Sequence, residues 1–315
     1  MPAATFGWSG VDLFFVLSGY LITKQLLSGM RLGEFYLRRA LRILPLYWLA
    51  LALYFAIPMF PEQSGIAPLW KFLLFVQNIG LVVETQGAFS HAWSLCIEEH
   101  FYLLLGPLLA LGYRRNNDRW FLSVLGLAMV AEALLRSALW SPEMVTHRSL
   151  YLMWIYYPTP SHLDGLIVGA ALAALERRGA LAKLSVRGSL AGGMLVLVLG
   201  AWLTRDQESF AASVFGFTIV SIGYGLLVRA ALGQERAPGA KIAASLAWLA
   251  YPAYLIHKPL LKAAATLTTS SSLNVAVAVT LVFLAAAVMH LLIERPILHL
   301  RERLVRRYDG VRERR

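Results

Sequence analysis

The sequence predicts an all-α, polytopic transmembrane bundle of about nine spans with one re-entrant or interfacial piece. Three observations point there. Apolar runs of membrane length recur from one end of the chain to the other. The composition is 58% hydrophobic and 15% charged, with a mean hydropathy of +0.60, beyond the range of an ordinary soluble domain. Basic residues gather between the apolar runs, and connections rich in them alternate with connections that are poor. At roughly 20 residues per span, a chain of 315 residues holds little besides membrane segments. A single membrane-embedded domain over 1–315 is therefore expected, with 296–315 as a basic cytoplasmic tail.

Taken in order, the predicted spans cover 10–28, 43–60, 92–112, 119–139, 163–178, 189–204, 212–230, 243–265 and 273–294. The basic connections carry Arg31, Arg38, Arg39 and Arg42; then Arg114, Arg115 and Arg119; then Arg177, Arg178 and Lys183; then Arg229, Arg236 and Lys241. The poorer connections are 61–68, 141–161, 205–209 and 268–274. Basic loops stay in the cytoplasm, so this alternation predicts a multi-pass protein of the inner (plasma) membrane with a cytoplasmic C-terminus. Segment 69–84, LWKFLLFVQNIGLVVE, would reverse every later loop if it crossed. It is short and interrupted by Gln77, Asn78 and Gly80, so it is read as a re-entrant piece whose backbone is covered by protein or water. With nine spans the two chain ends fall on opposite sides, and one further span before Met1 would bring both into the cytoplasm.

The net charge of +11 does not indicate a nucleic-acid partner, because the cations flank apolar segments and form no polar basic domain. Cys96 is the lone cysteine, which excludes an internal disulfide. His and Cys show no metal-ligand spacing, and there is neither a phosphate loop nor a GxSxG elbow. What does stand out is ionisable groups inside apolar runs: Asp12, Glu98, Glu99, Asp164, His257 and Lys258. Such groups are costly in hydrocarbon and mark the interior of a bundle or a site.

Six segments, in this order, carry a family resemblance: GVDLFFVLSGYLIT, FYLRRALRILPLYW, HAWSLCIEEHFYLLLGPLL, SHLDGLIVGAALA, YPAYLIHKPL and IERPI. From Gly7 to Leu300 the chain resembles the membrane acyltransferase 3 family, the integral membrane O-acyltransferases. The resemblance implies transfer of an acyl group, commonly acetyl, from cytoplasmic acyl-CoA to a hydroxyl of an extracytoplasmic glycan or lipid-linked acceptor. It also implies a first helix carrying an Arg and a His, the expected base, which would precede Gly7. A truncated start, or an inactive remnant, is the corresponding expectation. The rival class is a non-enzymatic transporter or scaffold for lipid-linked glycans; the chain lacks the repeated halves with paired broken helices that would favour it.

The candidate residues each have a plain reading beside the functional one. Arg38, Arg39 and Arg42 sit where the first span meets the cytoplasm, just before Pro45 and the second span, with Arg39 and Arg42 on one helical face if that stretch is helical. Their guanidinium forks suit the phosphates of acyl-CoA, or they anchor a cytoplasmic loop. Glu98 shares a face with His91, Ser94 and Tyr102, with Glu99 about 100° round the helix. One of the two carboxylates is a candidate to activate a histidine or position the acceptor hydroxyl; a structural hydrogen bond is the alternative. Asp12 either binds a base or an Arg of another helix, or caps a helix N-terminus. Ser18 and Gly19 read as close-packing residues. His257 is a candidate base or a structural hydrogen-bonding group, with Lys258 and Lys262 snorkelling. Trp93, Ser94, Tyr102, His162 and Asp164 are candidates to line the acceptor site. Tyr151, Trp154, Tyr156 and Tyr157 read as an interfacial aromatic belt or a sugar platform. Glu294 and Arg295 read as a pair or cap at the end of the last span.

Overall fold

A computed structural model describes residues 6–58, 60–114, 118–232, 240–267 and 271–310. It is 83% helical and contains no strand among the described residues. The protein is an all-α helical bundle of multi-pass membrane type. Ten main helices follow one another: α1 (Gly10–Leu27), α2 (Leu32–Ala56), α3 (Trp93–Arg114), α4 (Asp118–Leu139), α5 (Asp164–Arg177), α6 (Val186–Leu203), α7 (Phe217–Leu232), α8 (Ala240–Leu267), α9 (Ser271–Met289) and α10 (Arg295–Gly310). Among the described residues, six helical stretches are long and apolar enough to cross a membrane. Helix α5 is about 21 Å long at 1.5 Å per residue, against a hydrocarbon core of roughly 30 Å.

The apolar runs become helices for the expected reason: only internal backbone pairing survives in hydrocarbon. Two local differences have physical causes. The arginine-bearing stretch before Pro45 forms the first turns of α2 and is continuous with the span. Proline is tolerated there because a single lost backbone bond does not outweigh a 25-residue helix. The polar run in 69–84 ends the helix Leu69–Leu73 after one turn. Phe75 then takes a left-handed φ of 55° and Gly80 one of 65°, before the turn Val83–Gln86. Gln77 and Asn78 are buried, and their amides tie this segment down. Gln77 Nε2 donates to the Ala92 carbonyl at 3.3 Å; Asn78 Nδ2 donates to the Tyr157 carbonyl at 3.1 Å and to Thr159 Oγ1 at 2.9 Å. The segment is thus two short helical turns joined by an irregular stretch whose two amides are buried against protein.

The chain divides into two compact units. The first comprises 1–30 and 67–235, the second 31–66 and 236–315. In the first, α1 lies along α5 at backbone distance. Side chains at Gly19 and Gly169 would collide with the main chain of the facing helix, and a Cβ at Gly165 would sit 2.6 Å from that of Phe15. Gly165 and Gly169 form the small-xxx-small spacing that lets membrane helices approach. Gly19 is therefore a close-packing residue, as its sequence context suggests. Helix α7 packs on α5 and on α6, and α4 on α5. In the second unit, α8 packs along α9, and α10 packs against α2. The connections that hold Arg115 and Arg236, and the tail beyond Gly310, lie outside the described residues, as do the side chains of Arg114 and Lys241.

Candidate functional site

The first unit holds a polar centre assembled from helices that are otherwise apolar. Asp12, in the first turn of α1, is fully buried and faces His162, also fully buried, just before α5. Asp12 Oδ1 lies 3.1 Å from His162 Nε2. His162 Nδ1 lies 2.7 Å from the Tyr156 carbonyl, which can only accept, so Nδ1 carries a proton. The Nε2–Oδ1 contact then shares one further proton, whichever partner holds it. The imidazole is stacked on Phe217 at 4.0 Å between ring centres and on Trp93 at 5.2 Å, with Phe15 and Tyr156 edge-on. Asp12 Oδ2 is buried with no hydrogen-bond partner among the described residues.

Next to this pair lies a buried ion pair. Arg136 of α4 reaches Asp164 of α5 in fork geometry, Nη1–Oδ2 2.6 Å and Nη2–Oδ1 3.1 Å, with both side chains fully buried. Arg136 also donates to the carbonyls of Ser161 and Val214 and to Thr218, and Thr218 in turn donates to Asp164. Val214 sits in a π-helical turn, Ala212–Gly216, that leads into α7. The wider winding of such a turn disturbs the regular backbone ladder, and here the Val214 carbonyl accepts from Arg136 Nε and Nη2. One turn before Arg136, Glu132 Oε1 accepts the backbone N–H of Leu163 at 2.8 Å. Every guanidinium nitrogen of Arg136 is engaged, which is what a buried charge requires.

A third element is a hydrogen-bond chain between α1 and α3. Ser18 Oγ lies 2.5 Å from Tyr102 Oη, and Tyr102 donates to Glu98 Oε1 at 2.5 Å. Tyr102 has a single proton, so with Glu98 ionised the direction is fixed: Ser18 donates to Tyr102 and Tyr102 to Glu98. Glu98 and Tyr102 are buried while Ser18 is half-buried, so the chain runs inward from its serine end. In the connection ahead of α5, burial pushes the Tyr151 phenol well above its ordinary value and that of Tyr157 up to about 12. Both are neutral at physiological pH.

A family model described as an acyltransferase domain matches residues 3–294. The chain belongs to this acyltransferase family. YrhL of Bacillus subtilis is 26% identical to this chain over 287 residues, 81% of this chain and 44% of its own. The peptidoglycan O-acetyltransferase OatA of Listeria monocytogenes is 28% identical over 302 residues, 84% of this chain and 46% of its own. The O-acetyltransferase OatA of Staphylococcus aureus is 28% identical over 244 residues, 68% and 39% respectively. The chain thus spans less than half the length of these curated relatives. No solved structure gives a significant match.

Of the residues singled out from the sequence, the first unit brings together Asp12, Trp93, His162 and Asp164 in one network, and Glu98 with Tyr102 in another. Ser94 is buried in the first turn of α3, and Glu99 is half-buried on the neighbouring face. Ser18, read as a packing residue, also enters the polar chain. His257 belongs to the second unit, where its Nδ1 donates to the Tyr254 carbonyl at 2.7 Å and Nε2 is the basic nitrogen. Lys258 pairs with Glu62 at 3.9 Å, and Lys262 donates to the Pro61 carbonyl at 2.7 Å. Glu294 pairs with His290 at 2.7 Å. Arg38 is held by Glu34 at 2.7 Å on α2. Sequence reading missed Glu132 and Arg136. The signal was there: an acid and a base four residues apart inside a predicted span, the same intramembrane cost that drew attention to Asp12.

Proposed function

We propose that the protein transfers an acetyl group from cytoplasmic acyl-CoA to a hydroxyl of a cell-envelope glycan, of the peptidoglycan class or a lipid-linked precursor of it. The acceptor class is supported by the relatives named peptidoglycan O-acetyltransferases. The single observation that carries the chemistry is the Ser18–Tyr102–Glu98 chain, two 2.5 Å contacts that lead from a half-buried hydroxyl to a buried carboxylate. In this reading the acceptor hydroxyl donates to Ser18 Oγ. As it attacks the thioester carbonyl, its proton passes to Ser18, that of Ser18 to Tyr102, and that of Tyr102 to Glu98. The C–S bond breaks, the coenzyme A thiolate leaves, and Glu98 returns the proton to it or to water. Arg38, Arg39 and Arg42 bind the donor's phosphates, with guanidinium forks as the matching chemistry. Asp12 and His162 position α1, and Trp93, Ser94 and Asp164 flank the acceptor. Glu99 and His257 are second candidates for proton transfer. The basic connections and the C-terminus face the cytoplasm of the inner membrane.

The test is acetyl transfer in membranes carrying the protein, with radiolabelled acetyl-CoA and peptidoglycan fragments as acceptors. Alkali-labile label on the glycan is the expected product. Tyr102→Phe, which keeps the ring and removes the relay hydroxyl, is expected to lower kcat about 100-fold or more with acetyl-CoA affinity unchanged. Full activity in Tyr102→Phe would sink the relay. No labelled glycan from the wild-type protein would sink the acceptor assignment.

A further inference from the structure

The first unit carries an apolar groove that no step of the proposed reaction uses. It lies between α4, α5 and α7 and the turn Ala180–Lys183, with a volume of about 340 Å³. Ligand pockets begin at roughly 300 Å³. Small residues create the space: Gly126 of α4, Ala171 of α5 and Gly225 of α7. A Cβ at Gly126 would meet nothing within 4 Å, so the volume beside that helix is open. Leu125, Ile167 and Leu172 form buried walls, while Gly126 and Ile222 are exposed at the rim. Helices α4 and α7 are of membrane-crossing length, so the mouth of the groove opens sideways toward hydrocarbon.

Among the described residues, one charged side chain lines this groove. Arg229, in the last turn of α7, closes one end, about 10 Å along the helix from Ile222 at 1.5 Å per residue. Arg229 Nε and Nη2 donate to the Leu181 carbonyl at 3.1 and 2.7 Å, and Nη2 also donates to that of Leu184 at 2.8 Å. These bonds fix the guanidinium in place and leave Nη1 for a further acceptor. They do not answer its charge. Asp118 and Glu176, acids at this end of the bundle, are already engaged, the first by Arg177 and the second by Lys24 and Tyr20. Among the described residues, no carboxylate pairs with Arg229.

An apolar slot with a cation fixed at one end has the polarity of a single anionic lipid. The slot suits an acyl chain, and the guanidinium fork suits phosphate oxygens. A polar, water-soluble ligand would have to enter through hydrocarbon, which is costly. We propose that this groove binds an anionic phospholipid of the phosphatidylglycerol class, with one acyl chain laid along α5 and α7 and its phosphate accepting from Arg229. The site lies apart from the Ser18 relay and does not depend on the donor assignment.

The test uses the protein purified in dodecyl maltoside and titrated with dioleoyl phosphatidylglycerol or dioleoyl phosphatidylcholine. Native mass spectrometry counts bound lipid, and thermal unfolding is followed in parallel. Phosphatidylglycerol is expected to bind one to one, about tenfold more tightly than phosphatidylcholine, and to raise the melting temperature. Arg229→Gln is expected to bring phosphatidylglycerol down to the phosphatidylcholine level. Gly126→Leu, which fills the slot and keeps the guanidinium, is expected to weaken both lipids. Equal affinity of the wild type for the two lipids overturns the proposal, as does unchanged phosphatidylglycerol binding in either variant. Displacement of the lipid by glycerol 3-phosphate at equal concentration would make the ligand a soluble anion, and the proposal falls. It falls equally if palmitoyl-CoA binds more tightly than phosphatidylglycerol and is weakened by both substitutions, since the groove would then hold a donor chain. Should Arg229→Gln not elute as a single species, Gly126→Leu decides alone.

Discussion

Arg136 shows how one residue is made compatible with the interior. Its side chain has no exposed surface, and its charge is answered by Asp164 in a fork and by the Ser161 and Val214 carbonyls. Removing one partner of such a pair leaves the other charge buried, which costs about 3–5 kcal/mol. Arg136→Ala and Asp164→Asn are therefore each expected to lower the melting temperature in detergent sharply, and a shift within measurement error for either would contradict the network. Arg136→Lys is expected to fail as well, because an ammonium cannot span Asp164 and two carbonyls at once. Glu132 and Arg136 could have been found from spacing alone. The partner could not: Asp164 is 28 residues away and Asp12 lies 150 residues from His162. Local periodicity shows that a charge is inside a span and is silent about what answers it.

Among the elements, the α1–α5 contact governs the site because it sets where Asp12 meets His162. Gly19, Gly165 and Gly169 permit that approach, and any Cβ at Gly169 would overlap the α1 backbone. Gly169→Ala is expected to destabilise the protein by about 1–3 kcal/mol through overpacking and to reduce transfer activity. Gly126→Ala, where an added Cβ meets nothing within 4 Å, is the comparison and is expected to be neutral or slightly stabilising. Thermal unfolding of the two variants side by side checks this, and equal stability would mean that α1 and α5 do not require contact at backbone distance. Helix limits were largely legible in the sequence, since predicted 10–28 and 119–139 appear as Gly10–Leu27 and Asp118–Leu139. Turn chemistry was less so: the π-helical turns Leu152–Tyr156 and Ala212–Gly216 leave no hydropathy signature, yet each supplies a carbonyl to the polar centre.

For the molecule as a whole, the charge alternation predicts sidedness that labelling can read. With Cys96 replaced by alanine, a cysteine at Ser28 is expected to react with an impermeant maleimide only after the inner membrane is opened. One at Ser141 is expected to react from outside. Reaction of Ser28 from outside would reverse the topology and remove the α2 arginines from the cytoplasmic donor. The two compact units also separate the chemistry by content: the first carries the Asp12–His162 pair, the Arg136–Asp164 fork and the Ser18 relay, and the second carries Arg38, Arg39 and Arg42.

By itself the sequence determined the helical class, most helix limits and the places where polar groups lie within apolar runs, because hydrocarbon penalises any other arrangement of backbone and charge. Only the tertiary structure decided that Asp12 faces His162 and that Ser18 reaches Tyr102. Those pairings depend on which helix faces come together, and helix packing through glycines and π turns is a long-range outcome that no local spacing encodes.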